Sequence, residues 1–185
     1  NKTMILDAFA GRLYISPSQM LVDEYTRLQH QDNLLNNRFL EEQNSEAVTL
    51  DGERISLRLN AGLELNTEQS SVDICDGVGL YRTEAWFMQK GQFPSQLEQE
   101  NWYREVLKRY HPKPVVMRTL DIGGDKVLDY FNITEENPFL GWRGIRISLD
   151  HPELFLDQLK AMLKANMGLG NLKIMLPMIS GYEEV

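Results

Sequence analysis

Short apolar runs alternate with amphipathic segments along most of this chain, and this alternation limits the folds that it can adopt. The runs "ERISLRLNAGL", "GVGLYRTE", "PVVMRTLD" and "LKIMLPMIS" are strand candidates. Helical segments stand between them, the weakest over residues 66–75. Strands that alternate with helices of this size form βαβ units with parallel strands. We therefore predict an α/β fold, and the units amount to about half of a (β/α)8 barrel.

The two stronger helical segments carry boundary signals. Ser95 with Glu98 predicts a capping box at the start of the first, which ends before the proline of "YHPKP". Asp150 with Glu153, and Pro152 in the first turn, predict the start of the second. Gly168 stands where the C-cap of that helix is expected.

The first part of the chain has a different pattern. The segment "TMILDAFAGRLYIS" consists of two short apolar runs around Gly11 and predicts a hairpin. From Ser18 to Leu40 apolar residues recur at helical spacing among many polar ones, which predicts one long helix or two consecutive ones. A helix this polar suits a bridge between two bodies better than a place inside a core.

The charge balance is acidic, because 27 acidic and 19 basic side chains give a formal net charge of −8. Such a surface repels nucleic acid and anionic membranes, and no apolar run approaches the roughly 18 residues of a membrane span. Cys75 is the one cysteine, so neither a disulfide framework nor a zinc spacing is present. We expect a cytoplasmic protein that binds no nucleic acid and no membrane. The chain starts without methionine and ends where a helix begins, so we expect a fragment.

Three arginines stand at or just past the ends of predicted strands, where barrels of this kind carry their catalytic groups. They are Arg82 in "GLYRTE", Arg118 in "VMRTLD" and Arg143 in "NPFLGWRGIR". Guanidinium groups bind phosphate and carboxylate bidentately and stay protonated, so they suit a small, multiply charged anion. The alternative is structural, since strand-end arginines often only pair with neighbouring acids.

Carboxylates and a lysine lie close to these arginines in the sequence. We expect Glu84, Asp121 and Asp125 to hold the arginines by ion pairing and Lys126 to add a point charge. The glycines of "IGGDK" suggest a tight turn that brings Lys126 near the strand end. The same segment lacks the spacing and the final hydroxyl of a Walker phosphate loop.

Histidine and cysteine offer no nucleophilic arrangement. We expect His30, His111 and His151 at solvated or helix-end positions, and Cys75 as a small buried apolar residue. No Ser-His-Asp or Cys-His arrangement is visible in the sequence.

The stretches "GVGLYRTE", "RTLDIGGDK" and "ENPFLGWRGIRISLD" resemble, in order and spacing, the substrate-binding barrel of the Enzyme I family. Enzyme I is the phosphoenolpyruvate–protein phosphotransferase of the bacterial phosphotransferase system. The stretches "LDGERISLRLNAGL" and "LDHPELFLDQLKAMLKANMGLGNLKIMLPMIS" look closest to its nitrogen-regulatory form. The resemblance implies a TIM-type barrel and an enzyme that moves the phosphoryl group of phosphoenolpyruvate (PEP) to its own histidine. From there the group passes to HPr or a nitrogen-branch HPr-like carrier.

The resemblance also implies which residues bind the substrate. Arg82 and Arg118 match arginines that bind the PEP phosphate, and Arg143 matches a third arginine of the same site. Asn60, in "LNAG", matches an asparagine of the family motif. The supporting residues are Glu84, Asp121 and Lys126. The phosphorylated histidine, the cysteine acid and the ligands of Mg²⁺, the implied cofactor, are expected outside this chain, so the isolated chain is expected to be inactive.

The same resemblance implies a domain organisation. Residues 1–16 match the C-terminal hairpin of a swivelling phosphohistidine domain, 17–47 a linker helix region, and 48–185 the N-terminal half of the PEP-binding barrel. Members of this family form homodimers through the barrel domain. The alternative function is a regulatory or dimerisation module that senses PEP or a related anion without turnover.

Overall fold

The chain divides into two compact units, Asn1–Glu53 and Arg54–Val185. The computed structural model describes residues 3–42, 45–62, 69–123, 128, 130–131, 137 and 141–185. Within these ranges no helix combines the length and the apolar character that crossing a membrane requires.

The first unit consists of a hairpin and a long helix. Strands β1 (Met4–Asp7) and β2 (Arg12–Ile15) pair antiparallel, so the predicted hairpin is confirmed. Helix α1 (Gln19–Glu42) is a single helix without a buried residue. Its first half is fixed to the hairpin by Tyr25, whose hydroxyl donates to Asp7 Oδ2 at 2.6 Å.

The second unit is built on a parallel four-stranded sheet of order β3–β4–β5–β6. This arrangement confirms the predicted α/β class, and within the described ranges the sheet is open. The run "ERISLRLNAGL" supplies a much shorter strand than expected, because the Leu57 backbone N–H donates to an Asp76 carboxylate oxygen at 2.8 Å instead of to a neighbouring strand. The strands are β3 (Leu59–Ala61), β4 (Val78–Arg82), β5 (Val115–Arg118) and β6 (Leu172–Met175).

The helices of the second unit follow the strands. The predicted capping box is present, because the Glu98 N–H donates to Ser95 Oγ and the Ser95 N–H donates to Glu98 Oε2. Helices α3 and α5 were not predicted, since six residues are too few to show helical spacing. The helices are α2 (Gln69–Ile74), α3 (Glu84–Gln89), α4 (Gln96–Tyr110), α5 (Ile145–Asp150) and α6 (Pro152–Ala165), followed by a 3-10 turn at Tyr182–Glu184.

Helix α6 differs from its predicted boundaries at both ends. Asp150 ends α5, and its carboxylate accepts a hydrogen bond from Trp142 Nε1 rather than capping a helix. His151 holds the N-cap position without a side-chain cap bond. The C-cap is Asn166, and Gly168 lies beyond it at φ +79°. The helix signals therefore located α6 but not its exact ends.

Two buried clusters fix the second unit. In the first, Val115 and Met117 of β5 pack against helices α4 and α6, which places Val116 and Arg118 on the opposite face of the sheet. The second cluster lies where the strands end and supports the residues that follow them. Its buried members are Trp86, Phe87, Leu120, Ile122, Leu128 and Ile147.

Candidate anion-binding site

Arg82 and Arg118 stand side by side at the carboxyl ends of two neighbouring strands. They are the last residues of β4 and β5, and their Cα atoms are register partners. Arg82 is exposed, and its Nη2 lies 3.7 Å from where a Cβ on Gly62 would be, so the glycine leaves room for the guanidinium. Only 16 % of the Arg118 side chain is exposed. Parallel pairing thus brings two guanidinium groups to one edge of the sheet.

Two buried carboxylates hold the Arg118 guanidinium. Its Nη2 donates to Oε1 of Glu84, the first residue of α3. Its Nη1 lies 2.9 Å from Oδ2 of Asp121. Both carboxylates are almost fully buried, with 2 % and 3 % of their side chains exposed. The side chain of Arg118 therefore has a fixed direction.

Asp121 also binds the third arginine. Nε and Nη2 of Arg143 donate to Oδ1 at 3.2 and 3.1 Å, and Nη2 also donates to Oδ2 at 3.0 Å. One carboxylate thus joins two arginines that the sequence separates widely. We call Glu84, Arg118, Asp121 and Arg143 the arginine–carboxylate quartet. Its formal charges cancel, and the neighbouring Arg82 adds one positive charge.

Gly123 leaves the space that Arg143 needs to reach Asp121. This glycine has φ +109°, and a Cβ built on it would lie 2.7 Å from Cβ of Arg143 and 3.0 Å from the Trp142 carbonyl oxygen. A side chain at this position would collide with the segment that carries Arg143. Gly123 has the positive φ that a turn glycine allows, whereas Gly124 and the rest of the predicted turn lie outside the described residues.

Three residues that support the strand end were not predicted from the sequence. Thr83 Oγ1 donates to the Arg118 carbonyl oxygen at 2.7 Å. Gln158 of α6 is 2 % exposed, and its Oε1 accepts a hydrogen bond from the Leu120 N–H at 2.8 Å. Gln158 Nε2 also donates to Thr83 and to the Tyr103 hydroxyl, at 3.3 and 3.1 Å. Burial raises the pKa of Tyr103 well above its ordinary value, so its hydroxyl stays protonated.

A signal for Gln158 was present in the sequence. It lies between Leu154 and Met162 at spacings of four residues, which puts a polar side chain on the apolar stripe of its helix. Gln99 has the same relation to Tyr103 in α4, and both glutamines are buried. A polar residue on an apolar stripe indicates a buried hydrogen-bond partner.

The remaining candidates form no hydrogen bond with the quartet among the described residues, or lie outside the described ranges. Asn60 is exposed in β3, opposite Leu80 of β4, and forms no hydrogen bond with the quartet among the described residues. Asp125 and Lys126 lie outside the described residues. His30 and His111 are exposed, His151 is half-buried at a helix end, and Cys75 is buried, all as predicted.

The site does not fit Mg²⁺ through the residues described. The two carboxylates of the quartet, Glu84 and Asp121, bind guanidinium groups that would compete with a metal for their oxygens. In the part of the chain that the structure describes, no group of three His, Cys, Asp or Glu side chains is arranged to hold a metal ion.

Comparison with known proteins shows a clear similarity. The family described as "PEP-utilising enzyme, PEP-binding domain" matches residues 37–185. The chain is 47 % identical over 184 residues to the "Phosphoenolpyruvate-dependent phosphotransferase system" protein of Escherichia coli (strain K12), a match that covers 100 % of this chain and 25 % of that protein. It is 40 % identical over 185 residues to the "Phosphoenolpyruvate-protein phosphotransferase" of Staphylococcus carnosus (strain TM300), covering 98 % and 32 %.

A third relative gives the same result. The "Phosphoenolpyruvate-protein phosphotransferase" of Haemophilus influenzae is 38 % identical over 183 residues, covering 98 % of this chain and 32 % of that protein. The chain therefore spans between 25 % and 32 % of the length of these relatives.

Proposed function

The chain belongs to the family of PEP-binding domains of PEP-utilising enzymes. We propose that it is part of a phosphoenolpyruvate–protein phosphotransferase of the Enzyme I type. In this proposal Arg82, Arg118 and Arg143 bind the phosphate of PEP. The enzyme transfers the phosphoryl group to one of its own histidines, which lies outside this chain. HPr, or a nitrogen-branch HPr-like carrier, is the next acceptor.

One observation carries this proposal: three arginines meet at the carboxyl end of the sheet. Arg82 and Arg118 are register partners, and Asp121 links Arg118 to Arg143. A phosphoryl group in transfer spreads its charge over three oxygens, so fixed cations around it are the main catalytic device. Two of the three guanidinium groups are fixed by buried carboxylates. The third, Arg82, is exposed at the same edge and supplies the excess positive charge.

Arg118 retains a donor for the substrate. A guanidinium has five N–H groups, and the two carboxylates contact Nη1 and Nη2 of Arg118, not its Nε. Its Nε is buried and has no hydrogen-bond acceptor among the described residues. A phosphate oxygen at the strand end would satisfy such a donor, which is otherwise costly to bury.

Other parts of the proposed enzyme lie outside the site described. The phosphorylated histidine, the cysteine acid and the Mg²⁺ ligands are proposed to come from beyond this chain, which leaves the isolated chain inactive. We propose that residues 48–185 form the first half of a TIM-type barrel, 17–47 the linker helix region and 1–16 the end of the swivelling domain. The cytoplasm as compartment, the nitrogen branch and a homodimer belong to the same proposal.

The test is phosphoryl transfer from radiolabelled PEP to the full-length protein and to an HPr-type carrier. We expect Arg118→Lys, which keeps the charge but not the fork geometry, to slow labelling by about 100-fold. Arg104→Lys is the matched control, because Arg104 donates to carbonyl oxygens of α6 and its following turn, away from the quartet. Equal labelling of Arg118→Lys and wild type would contradict the roles of the arginines. PEP binding without any labelling would favour the regulatory module.

A further inference from the structure

We propose that Gln158, acting through Thr83, is a positioning residue for the arginine–carboxylate quartet. It touches neither the proposed substrate nor any guanidinium group. It acts on the backbone from which Arg118 and Asp121 project. The inference rests on the proposed function, because what it positions is the PEP-binding arginine Arg118.

Gln158 and Thr83 anchor the two sides of the bend that follows β5. Thr83 holds the Arg118 carbonyl oxygen, and Gln158 holds the Leu120 N–H. Between these two anchors stands only Thr119, and Asp121 follows directly. The backbone that carries Arg118 is therefore hydrogen-bonded at its own carbonyl oxygen. The backbone that carries Asp121 is hydrogen-bonded at the N–H of the preceding residue, Leu120.

Gln158, Thr83, Tyr103 and Gln99 form one group of side chains in which each donor has an acceptor. The Gln158 amide donates one hydrogen bond to Thr83 and one to Tyr103, and each hydroxyl donates its own proton onward. Thr83 donates to the Arg118 carbonyl oxygen, and Tyr103 donates to Oε1 of Gln99 at 3.1 Å. Because every hydroxyl accepts one bond and donates another, only one orientation of the Gln158 amide satisfies the group.

The same group connects to both carboxylates of the quartet. Thr83 directly precedes Glu84, which binds Arg118. Leu120 directly precedes Asp121, which binds Arg118 and Arg143. A shift at either anchor therefore moves a carboxylate together with an arginine. Since misplacement by about 1 Å can cost about 100-fold in rate, this group is able to control catalysis from outside the site.

The test compares substitutions of similar burial in the full-length protein. Gln158→Met keeps the volume and removes all three hydrogen bonds. Thr83→Val removes the bond to Arg118, and Thr83→Ser restores it as the conservative variant. The matched control is Asn171→Leu: Asn171 is also a buried amide, 6 % exposed, and it donates to the carbonyl oxygens of Leu107 and Lys113 at the amino end of the sheet.

Two measurements on these variants decide the inference. Hydrogen exchange followed by mass spectrometry reports on the backbone over residues 115–123. Steady-state labelling from PEP gives kcat and KM. We expect Gln158→Met and Thr83→Val to speed exchange in that segment and to lower kcat/KM by about tenfold, mainly through kcat, with Thr83→Ser within about threefold of wild type. Asn171→Leu should lower the unfolding temperature but leave both readouts near wild type.

Unchanged exchange in Gln158→Met would overturn the inference, and so would an equal loss of kcat/KM in Asn171→Leu. Changed exchange with unchanged kcat/KM would also overturn it, because the anchors would then be structural only. If the wild-type protein takes no phosphoryl group from PEP, the proposed function fails. In that case the exchange measurement alone decides whether Gln158 positions the backbone around Arg118.

Discussion

At the scale of single residues, Asp121 is the centre of the site. It is almost fully buried and binds both Arg118 and Arg143. Without it, two guanidinium groups with 16 % and 13 % of their side chains exposed would share a partly desolvated space in which Glu84 is the one other carboxylate among the described residues. Removing one partner of a buried ion pair costs more than the pair contributes, because the remaining charge loses its compensation.

We expect Asp121→Asn to lower the free energy of unfolding by about 2 kcal/mol. The amide keeps one acceptor but cannot compensate two guanidinium groups. Urea unfolding followed by tryptophan fluorescence gives the value. Glu105→Gln is the control, because Glu105 pairs with Lys108 on the surface, where a pair contributes little. Equal effects of the two substitutions would contradict the central place of Asp121.

Gly123 stands where the backbone leaves little room for a side chain. We expect Gly123→Ala to lower the free energy of unfolding by about 1–3 kcal/mol, because it combines a positive φ with a contact of 2.7 Å to Cβ of Arg143. It should also weaken PEP binding by displacing Arg143. Gly91→Ala is the control, since Gly91 has nothing within 4 Å and no positive φ. Wild-type stability of Gly123→Ala would show that the segment moves aside freely.

At the scale of secondary-structure elements, the start of α4 is capped by a carboxylate, Glu98. Hydrogen bonds from the Ser95 backbone and hydroxyl, and then from Lys90, lower the pKa of Glu98 below its ordinary value of 4.5. A lowered pKa in the folded state means stability that is complete above the unfolded pKa and is lost as the pH falls through the folded one. The capping box should therefore stabilise α4 at neutral pH and lose this effect in acid.

We expect Glu98→Ala to lower the unfolding temperature at pH 7 by a few degrees and to have little effect near pH 3. Thermal unfolding followed by circular dichroism at both pH values measures this. Glu100→Ala removes a carboxylate from the same helix without touching the cap and serves as control. A loss in Glu98→Ala that is equal at both pH values would show that the charge has no role.

Elements with local signals could be predicted, and elements without them could not. The capping box of Ser95 and Glu98 located α4, and apolar runs located β4, β5 and β6. Helices α3 and α5 have six residues each, and they bury Trp86, Phe87 and Ile147 in the second cluster. Such helices depend on tertiary packing, which no local pattern reveals.

In the site, too, residues with a local signal could be predicted and contacts between distant residues could not. Strand ends identified Arg82 and Arg118, because a sequence shows where an apolar run stops. That one carboxylate, Asp121, would join Arg118 to Arg143 could not be read from spacing, since the joining residues are 22 positions apart. The direction of Gln158 into the core was visible as a polar residue on an apolar stripe, but its partners at the strand end were not.

At the scale of the whole molecule, the sheet of the second unit ends in two strands that lack an outer neighbour among the described residues, β3 and β6. Unpaired strand edges form hydrogen bonds readily with another copy. We therefore expect this chain, prepared alone, to self-associate at micromolar concentration. Sedimentation velocity measures the mass in solution. A monomer over the whole micromolar range would contradict this prediction.

The most direct test of the central claim is a calorimetric titration of PEP into the full-length protein and its Arg82→Ala variant. Arg82 is exposed and binds no carboxylate among the described residues, so its removal leaves no buried charge without a partner. Arg54→Ala, a surface arginine of the same unit, is the control. We predict wild-type affinity for Arg54→Ala and an affinity about 10- to 100-fold lower for Arg82→Ala. Equal affinity of Arg82→Ala and wild type would contradict the proposal that the carboxyl ends of β4 and β5 bind the phosphate of PEP.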